Sequence, residues 1–281
     1  MDAFVFMAVL AAAACHAGWN ALLKLNVAPV VATVLVAVAA GLLVLPLLPI
    51  TPLPAAAAWP YIVASAIIHV AYFVALAEAY RWGDLSQVYP IARGTAPLLT
   101  AALASLWLNE ALGSNGWAGV IVLAAGILLL TVKGARKLAP FDHRAVAFAL
   151  ATSLTITAYT LVDGIGARLA GSALAYTVWL FIGDGITMAI YGALRVGPSL
   201  LKDFRAHWRI ATAGAALSTA AYAIAIWAMT VAPIALVAAL RETSVLFAAL
   251  FGTVLLREPV LPVRLVAALL VMAGALLLRF R

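Results

Sequence analysis

Two arginines, Arg93 and Arg241, stand inside long apolar runs, and they are the first residues whose type and position could do chemistry. An ionisable side chain inside a bilayer costs about 2.5–3.5 kcal/mol on insertion scales, so its presence there points to function by default. Arg93 lies about eight residues into the run 85–108, and Arg241 about nine into 233–256. At a rise of about 1.5 Å per residue, each sits roughly 12 Å below its membrane face, near the midplane of a core about 30 Å thick. A guanidinium is always charged and its planar fork matches a carboxylate. The pair therefore reads as a clamp on an anionic or zwitterionic solute. A purely structural reading stays open: an arginine satisfied by helix-end carbonyls, by Glu78 or by Glu242, the last also giving Arg241 local compensation.

Other polar residues share faces with these two. Ser86, Tyr89, Arg93 and Thr100 recur at helical intervals. Pro90 and Pro97 interrupt the same run and free backbone carbonyls to line a cavity. Arg241 and Ser244 share a face of 233–256, as do His69, Tyr72 and Phe73 of 59–80. Tyr72 and Tyr222 would form aromatic walls for apolar or aromatic parts of a solute, with ordinary packing the equal alternative. His69 reads more readily as a hydrogen-bonded packing residue than as a proton relay. His16, Trp19 and Asn20 share one face, and Lys24, a turn further on, snorkels to the interface. The candidate substrate-binding residues are thus Trp19, Asn20, His69, Tyr72, Tyr89, Arg93, Tyr222, Arg241 and Ser244. Asp184, with Glu242, is the candidate proton-coupling group. Asp163 lies near the expected end of its helix and reads as a solvated cap. Trp59, Trp82, Trp117 and Trp208 fall at run ends as interfacial anchors, whereas Trp179 and Trp227 sit deeper and would reach a cavity.

Catalysis finds little support. Asp163 and Asp184 invite an intramembrane aspartyl-protease reading, but the Tyr-Asp and Gly-x-Gly-Asp contexts of such enzymes are missing. There is no HExxH or GxSxG motif, and His and Cys are too few for a metal site. No enzyme activity, cofactor, metal or nucleic-acid partner is expected.

The elements that carry these residues follow from composition. Of 281 residues, 67% are hydrophobic and 10% charged, with a mean hydropathy of +1.14. A soluble surface needs far more polar residues, so the chain is an integral membrane protein. Ten runs are long enough to span as helices: 3–23, 27–48, 59–80, 85–108, 116–132, 144–165, 172–194, 208–230, 233–256 and 260–280. They are continuously apolar, which excludes alternating barrel strands. Ala13-Ala14-Cys15 faintly resembles a lipoprotein cleavage site, but no Lys or Arg precedes it, so the segment reads as the first span.

The chain matches itself at an offset of 148: Arg93 falls on Arg241, Thr95 on Thr243, Glu110 on Glu258 and Gly126 on Gly274. The expected organisation is a first five-helix repeat over 1–132, a connection over 133–143 and a second repeat over 144–281. Five is odd, so the second repeat starts on the opposite side of the membrane. Such inverted repeats belong to transporters with a midplane site.

Each repeat ends with a Glu, a short turn and an apolar helix holding Gly before three leucines: Glu110 then Gly126 with Leu128–Leu130, and Glu258 then Gly274 with Leu276–Leu278. Duplicated five-helix halves with this ending resemble the EamA family of the drug/metabolite transporter superfamily, similar in length and helix count to its YddG-type amino-acid exporters. The resemblance implies a ten-helix basket around a central cavity lined by spans 3, 4, 8 and 9, with 1 and 6 contributing. It also implies export of amino acids, including aromatic ones, or related metabolites by alternating access. The alternative it leaves is a multidrug or cationic-compound exporter. No P-loop is present, so uphill transport would draw on a gradient or a partner protein. The expected partners are a small-molecule substrate and the bilayer, with a monomer the simplest assembly.

Orientation follows from charge. On the side of the first connection lie Lys24, Arg81, Lys133, Arg136, Lys137, Arg144, Arg195, Lys202, Arg205, Arg209, Arg257 and Arg264, against Arg168, Arg279 and Arg281 on the side of the termini. Short Lys/Arg-rich connections stay cytoplasmic. Both termini of this inner-membrane, multi-pass chain are therefore expected outside the cytoplasm, opposite to the family habit.

Overall fold

The computed structural model describes residues 1–23, 29–83, 85–134, 142–255 and 262–280. Eleven α-helices follow in order: α1 (Ala3–Leu23), α2 (Pro29–Val44), α3 (Trp59–Trp82), α4 (Leu85–Trp107), α5 (Gly113–Gly134) and α6 (His143–Leu169), then α7 (Ala173–Arg195), α8 (Ser199–Val231), α9 (Ile234–Arg241), α10 (Ser244–Leu255) and α11 (Pro262–Arg279). Short 3₁₀ turns, Leu45–Ile50 and Ala56–Ala58, join α2 to α3. No strand occurs among the described residues.

Local chemistry sets the helix starts. Orphan N–H groups of a first turn need acceptors, and side chains supply them. Asp2 accepts from Phe4 N at 2.8 Å, Asp142 from Arg144 N at 2.7 Å, and Ser172 from Ala175 N at 3.2 Å. Gly171 and Gly197 take φ of 74° and 73° between helices, where a Cβ would be strained.

Nine stretches among the described residues are long and apolar enough to cross a membrane. The helix α4 is 23 residues long, but Gln87, Arg93, Thr95 and Thr100 dilute its apolar character. Two elements differ from the sequence expectation. The run 233–256 is two helices, because hydrogen bonds at its middle shorten from i→i+4 to i→i+3: Glu242 N donates to Ala239 O, Thr243 N to Leu240 O and Leu246 N to Thr243 O. Such a 3₁₀ interruption within a span marks a hinge-like position. The helix α8 begins earlier than expected and bends at His207, whose φ of −117° and ψ of 16° leave the helical region. Its span proper thus starts at Trp208. The second Glu motif, at Glu258, lies outside the described residues, as does Lys24.

Most first-half helices pack chiefly on second-half helices, α1 on α8, α3 on α6, α2 on α7 and α5 on α11, while α4 packs on α5 of its own half as well as on α6 and α9. Backbone proximity makes two of these pairings. A Cβ on Gly41 of α2 would lie 2.9 Å from the Phe181 carbonyl oxygen and 3.1 Å from the Gly185 Cα of α7. One on Gly274 of α11 would lie 2.7 Å from Leu123 N of α5. Small residues at such crossings let helices approach where lipid supplies no hydrophobic drive. The most enclosed element is α9, buried from Ile234 through Leu240. Large apolar side chains such as Phe4, Leu106, Ile186 and Leu269 face outward.

Gly41→Val is expected to lower stability by about 1–3 kcal/mol, the usual cost of overpacking. Thermal unfolding of the detergent-solubilised variant checks this, and an unchanged melting temperature contradicts the close α2–α7 crossing.

Candidate functional site

The centre of the molecule is a polar island built by α1, α3, α4, α6, α7, α8 and the α9–α10 turn. Arg93 projects from α4 beside the Pro97 interruption and is 4% exposed. Its Nε lies 2.9 Å from Glu242 Oε2, itself buried at the end of α9. The two meet as charges without hydrogen-bond alignment. Arg93 Nη2 is 3.2 Å from His16 Nε2 of α1, and the guanidinium lies over the Tyr89 ring at 5.9 Å. Glu242 therefore forms its ion pair with Arg93 across the two halves and, among the described residues, none with its neighbour Arg241. Consecutive helix residues point about 100° apart, so the two side chains reach different partners. Glu78 pairs with Arg81 instead, at 3.6 Å on the periphery.

Arg241 stacks on the Tyr222 ring at 4.8 Å. Among the described residues no carboxylate forms an ion pair with it. It lines a small cavity with Glu242, Ala96, Pro97, Thr100, Tyr159 and Thr160. Ser244 begins α10, across the 3₁₀ turn from Arg241, and its hydroxyl is buried without a hydrogen bond.

An aromatic cluster closes the other side. Tyr159 of α6 stacks on His69 at 4.4 Å and meets Tyr72 and Tyr222 edge-on at 5.9 and 6.2 Å. His69 Nδ1 lies 3.3 Å from Asp184 Oδ1. Asp163 is fully buried, and accepts from Tyr176 Oη at 2.9 Å and from Tyr222 Oη. The solvated-cap expectation for Asp163 is thus corrected: α6 runs on to Leu169, a further turn past the expected end at 165, which carries Asp163 inward. Asp163 and Asp184 are engaged by different groups, so the contacts join them in no shared-proton pair. Trp19 and Asn20 of α1 turn to His16, the indole Nε1 donating to His16 Nδ1 at 3.2 Å and the Asn20 amide to the His16 carbonyl at 2.8 Å. Trp179 and Trp227 pack edge-on against Trp59 and Phe4, at 4.9 and 5.8 Å.

Hydroxyls of α6 hold α4 in place. Ser153 donates to Ala92 O at 2.7 Å and Thr157 to Ala96 O at 3.2 Å, while Thr100 donates to Thr157 at 3.3 Å. They bind α4 carbonyls five residues and one residue before Pro97 and so fasten the helix beside that interruption. Tyr159 escaped sequence reading, and Asp163 reads there only as a cap or a protease aspartate. The signal for them was a helical spacing of Ser153, Thr157, Tyr159, Thr160 and Asp163 along one apolar run.

Glu110, legible only as a repeat mark, is structural. Its Oε1 accepts from Arg168 Nη2 at 2.7 Å and its Oε2 from Ala235 N at 3.3 Å. Arg168 Nε donates to Met229 O at 2.8 Å and its Nη2 to Ala232 O at 3.1 Å. One ion pair thereby caps the end of α8 and the start of α9.

Removing Arg93 alone leaves Glu242 as an uncompensated buried charge. Arg93→Ala is therefore expected to destabilise by about 3–5 kcal/mol, and Arg93→Met with Glu242→Leu to recover most of that loss. Thermal unfolding in detergent compares them; equal melting of the single and double variants contradicts the pairing.

No curated protein matches the chain. Twenty-six solved chains match its fold. One of them, described as "Crystal structure of protein", superposes with a TM-score of 0.74 at 16% identity, covering 98% of this chain and 94% of its own. The EamA-like transporter family model matches residues 3–132 and again 143–280. Those two matches take in both halves that meet at the central polar island, and this multi-pass membrane protein belongs to the EamA-like transporter family of the drug/metabolite transporter superfamily.

Proposed function

We propose that the protein is a secondary transporter exporting amino acids, including aromatic ones, or related small metabolites by alternating access. The observation that carries this reading is Arg241: a cation at the wall of a central cavity, held on an aromatic face with no carboxylate paired to it among the described residues. A solute carboxylate suits it. Glu242, at the same cavity, suits the solute ammonium, and Tyr72, Tyr159 and Tyr222 an apolar or aromatic remainder. The substrate-binding set is read as Trp19, Asn20, His69, Tyr72, Tyr89, Arg93, Tyr222, Arg241 and Ser244. Asp184, paired with His69, is read as the proton-coupling group together with Glu242. Export as the direction rests on the family resemblance.

The two halves, 1–132 and 144–281, are read as inverted five-helix repeats joined by 133–143. Their packing supports this reading. Exchanging each helix for its counterpart turns the α1–α8 contact into α6–α3 and leaves α2–α7 and α5–α11 unchanged. Rocking of one repeat against the other would expose the site to each side in turn. A second reading, export of cationic compounds, is favoured by one observation: Asp163, Asp184 and Glu242 outnumber Arg93 and Arg241 in the site. The chain is read as a monomer in a cell membrane, with both termini outside the cytoplasm.

Liposomes holding the purified protein are expected to move at least one labelled amino acid of a full panel, with and without a proton gradient. Arg241→Ala should slow that flux by about tenfold or more, as for one lost charge-assisted hydrogen bond. A silent panel, or movement of cations alone, contradicts the amino-acid reading; unchanged flux in Arg241→Ala removes its carrying observation. A C-terminal fluorescent fusion that glows only in the cytoplasm is expected to stay dark in cells. Bright cells would place the termini inside and overturn the charge-based orientation.

A further inference from the structure

Both ring nitrogens of His16 face nitrogen donors. Nδ1 lies 3.2 Å from the Trp19 indole Nε1, and Nε2 lies 3.2 Å from Arg93 Nη2. Indole and guanidinium nitrogens only donate. A neutral imidazole has one lone pair and one N–H, so it accepts one of these contacts and opposes the other. A protonated ring would oppose both. Arg93 spends its Nε on the Glu242 carboxylate, 2.9 Å away, which leaves Nη2 to face His16. In either neutral tautomer, then, one N–H of this corner faces another N–H in place of an acceptor, with Arg93 only 4% exposed and His16 and Trp19 partly buried.

We propose that the corner between His16, Trp19 and Arg93 is an oxyanion seat that receives the carboxylate of the transported solute and selects free acids over their amides. The proposal rests on the amino-acid reading for the identity of the solute, but the opposed N–H groups stand apart from it. An oxygen set to one side of two nitrogens 3.2 Å apart reaches both at ordinary hydrogen-bond length. A carboxylate is an acceptor only, with about four lone-pair sites, so it relieves the opposed donors without bringing new ones. Water brings two donors of its own, and an amide brings an NH₂ into a corner already rich in N–H. A site built to satisfy particular polar groups rejects a near-isostere that leaves them unpaired. His16 and Trp19 thereby become specificity-determining residues, with Arg93 supplying the charge. The carboxylate then has two alternative seats, this corner and Arg241 on Tyr222, held at different points of the cycle.

The full-length protein in detergent, with ¹⁵N-labelled histidine, tests this seat. The chain has four histidines, so His16→Phe assigns the His16 signals; single replacement of His69, His143 and His207 gives the same assignment should that variant fail to fold. Formate is the probe and formamide its comparator. Formate is expected to shift the His16 ring signals saturably, and formamide at equal concentration to leave them in place. Trp19→Phe removes the indole donor and should weaken formate binding by about tenfold or more. In liposomes the same variant should narrow the preference for a carried amino acid over its amide by a similar factor. His16 signals that ignore formate, or that respond equally to formamide as a water-filled corner would, overturn the seat. A formate response with no amino acid carried overturns the amino-acid reading and leaves the seat standing. Amino-acid flux with a silent His16 overturns the seat alone.

Discussion

A charge inside a bilayer must find a counter-charge or a polar shell, because the hydrocarbon offers neither. Arg93 is the point at which this chain meets that constraint most severely, and its solution is Glu242 from the other half of the molecule. That pairing needs the α9–α10 turn. The i→i+3 bonds there place Glu242 at the end of a short helix, facing α4, while Arg241 beside it faces Tyr222. The interruption of the span and the neutralisation of Arg93 are thus one arrangement.

The enclosed helix α9 is fastened at both ends by residues distant in sequence. Glu110 caps its first turn with Arg168 alongside, and Glu242 ties its last residues to α4. Being buried from Ile234 to Leu240, it has little freedom to shift unless these polar ties exchange partners. Anything that competes for Arg93 or Glu242 would therefore act directly on a helix that packs against both halves.

The aromatic cluster does different work. Tyr159 touches His69, Tyr72 and Tyr222, while Tyr222 and Tyr176 carry hydroxyls to Asp163. Tyrosine suits this place because one ring satisfies an apolar neighbour and its hydroxyl satisfies a buried carboxylate. The hydroxyls of Ser153 and Thr157 play the same part for the α4 backbone at Pro97. Asp163 and the α4 carbonyls thus find their partners on other helices.

Composition and hydrophobic run length were enough to make this chain a helical membrane protein, since a bilayer tolerates only closed backbone hydrogen bonding over a stretch of fixed thickness. Self-matching likewise exposed Arg93, Arg241 and Glu110 as positions of interest, because charged residues are too rare in apolar runs to coincide by chance. The partners of these residues were not legible. That Glu242 forms its ion pair with Arg93, that Asp163 is buried between two tyrosines, and that Ser244 lies beyond a broken turn all depend on which faces of distant helices meet. Helical periodicity tells which residues share a face of one helix. It does not say which helix that face will touch, and in lipid no simple apolar-against-water rule decides it. Close backbone crossings such as Gly41 on Gly185, and the pairing of charges across them, made that choice.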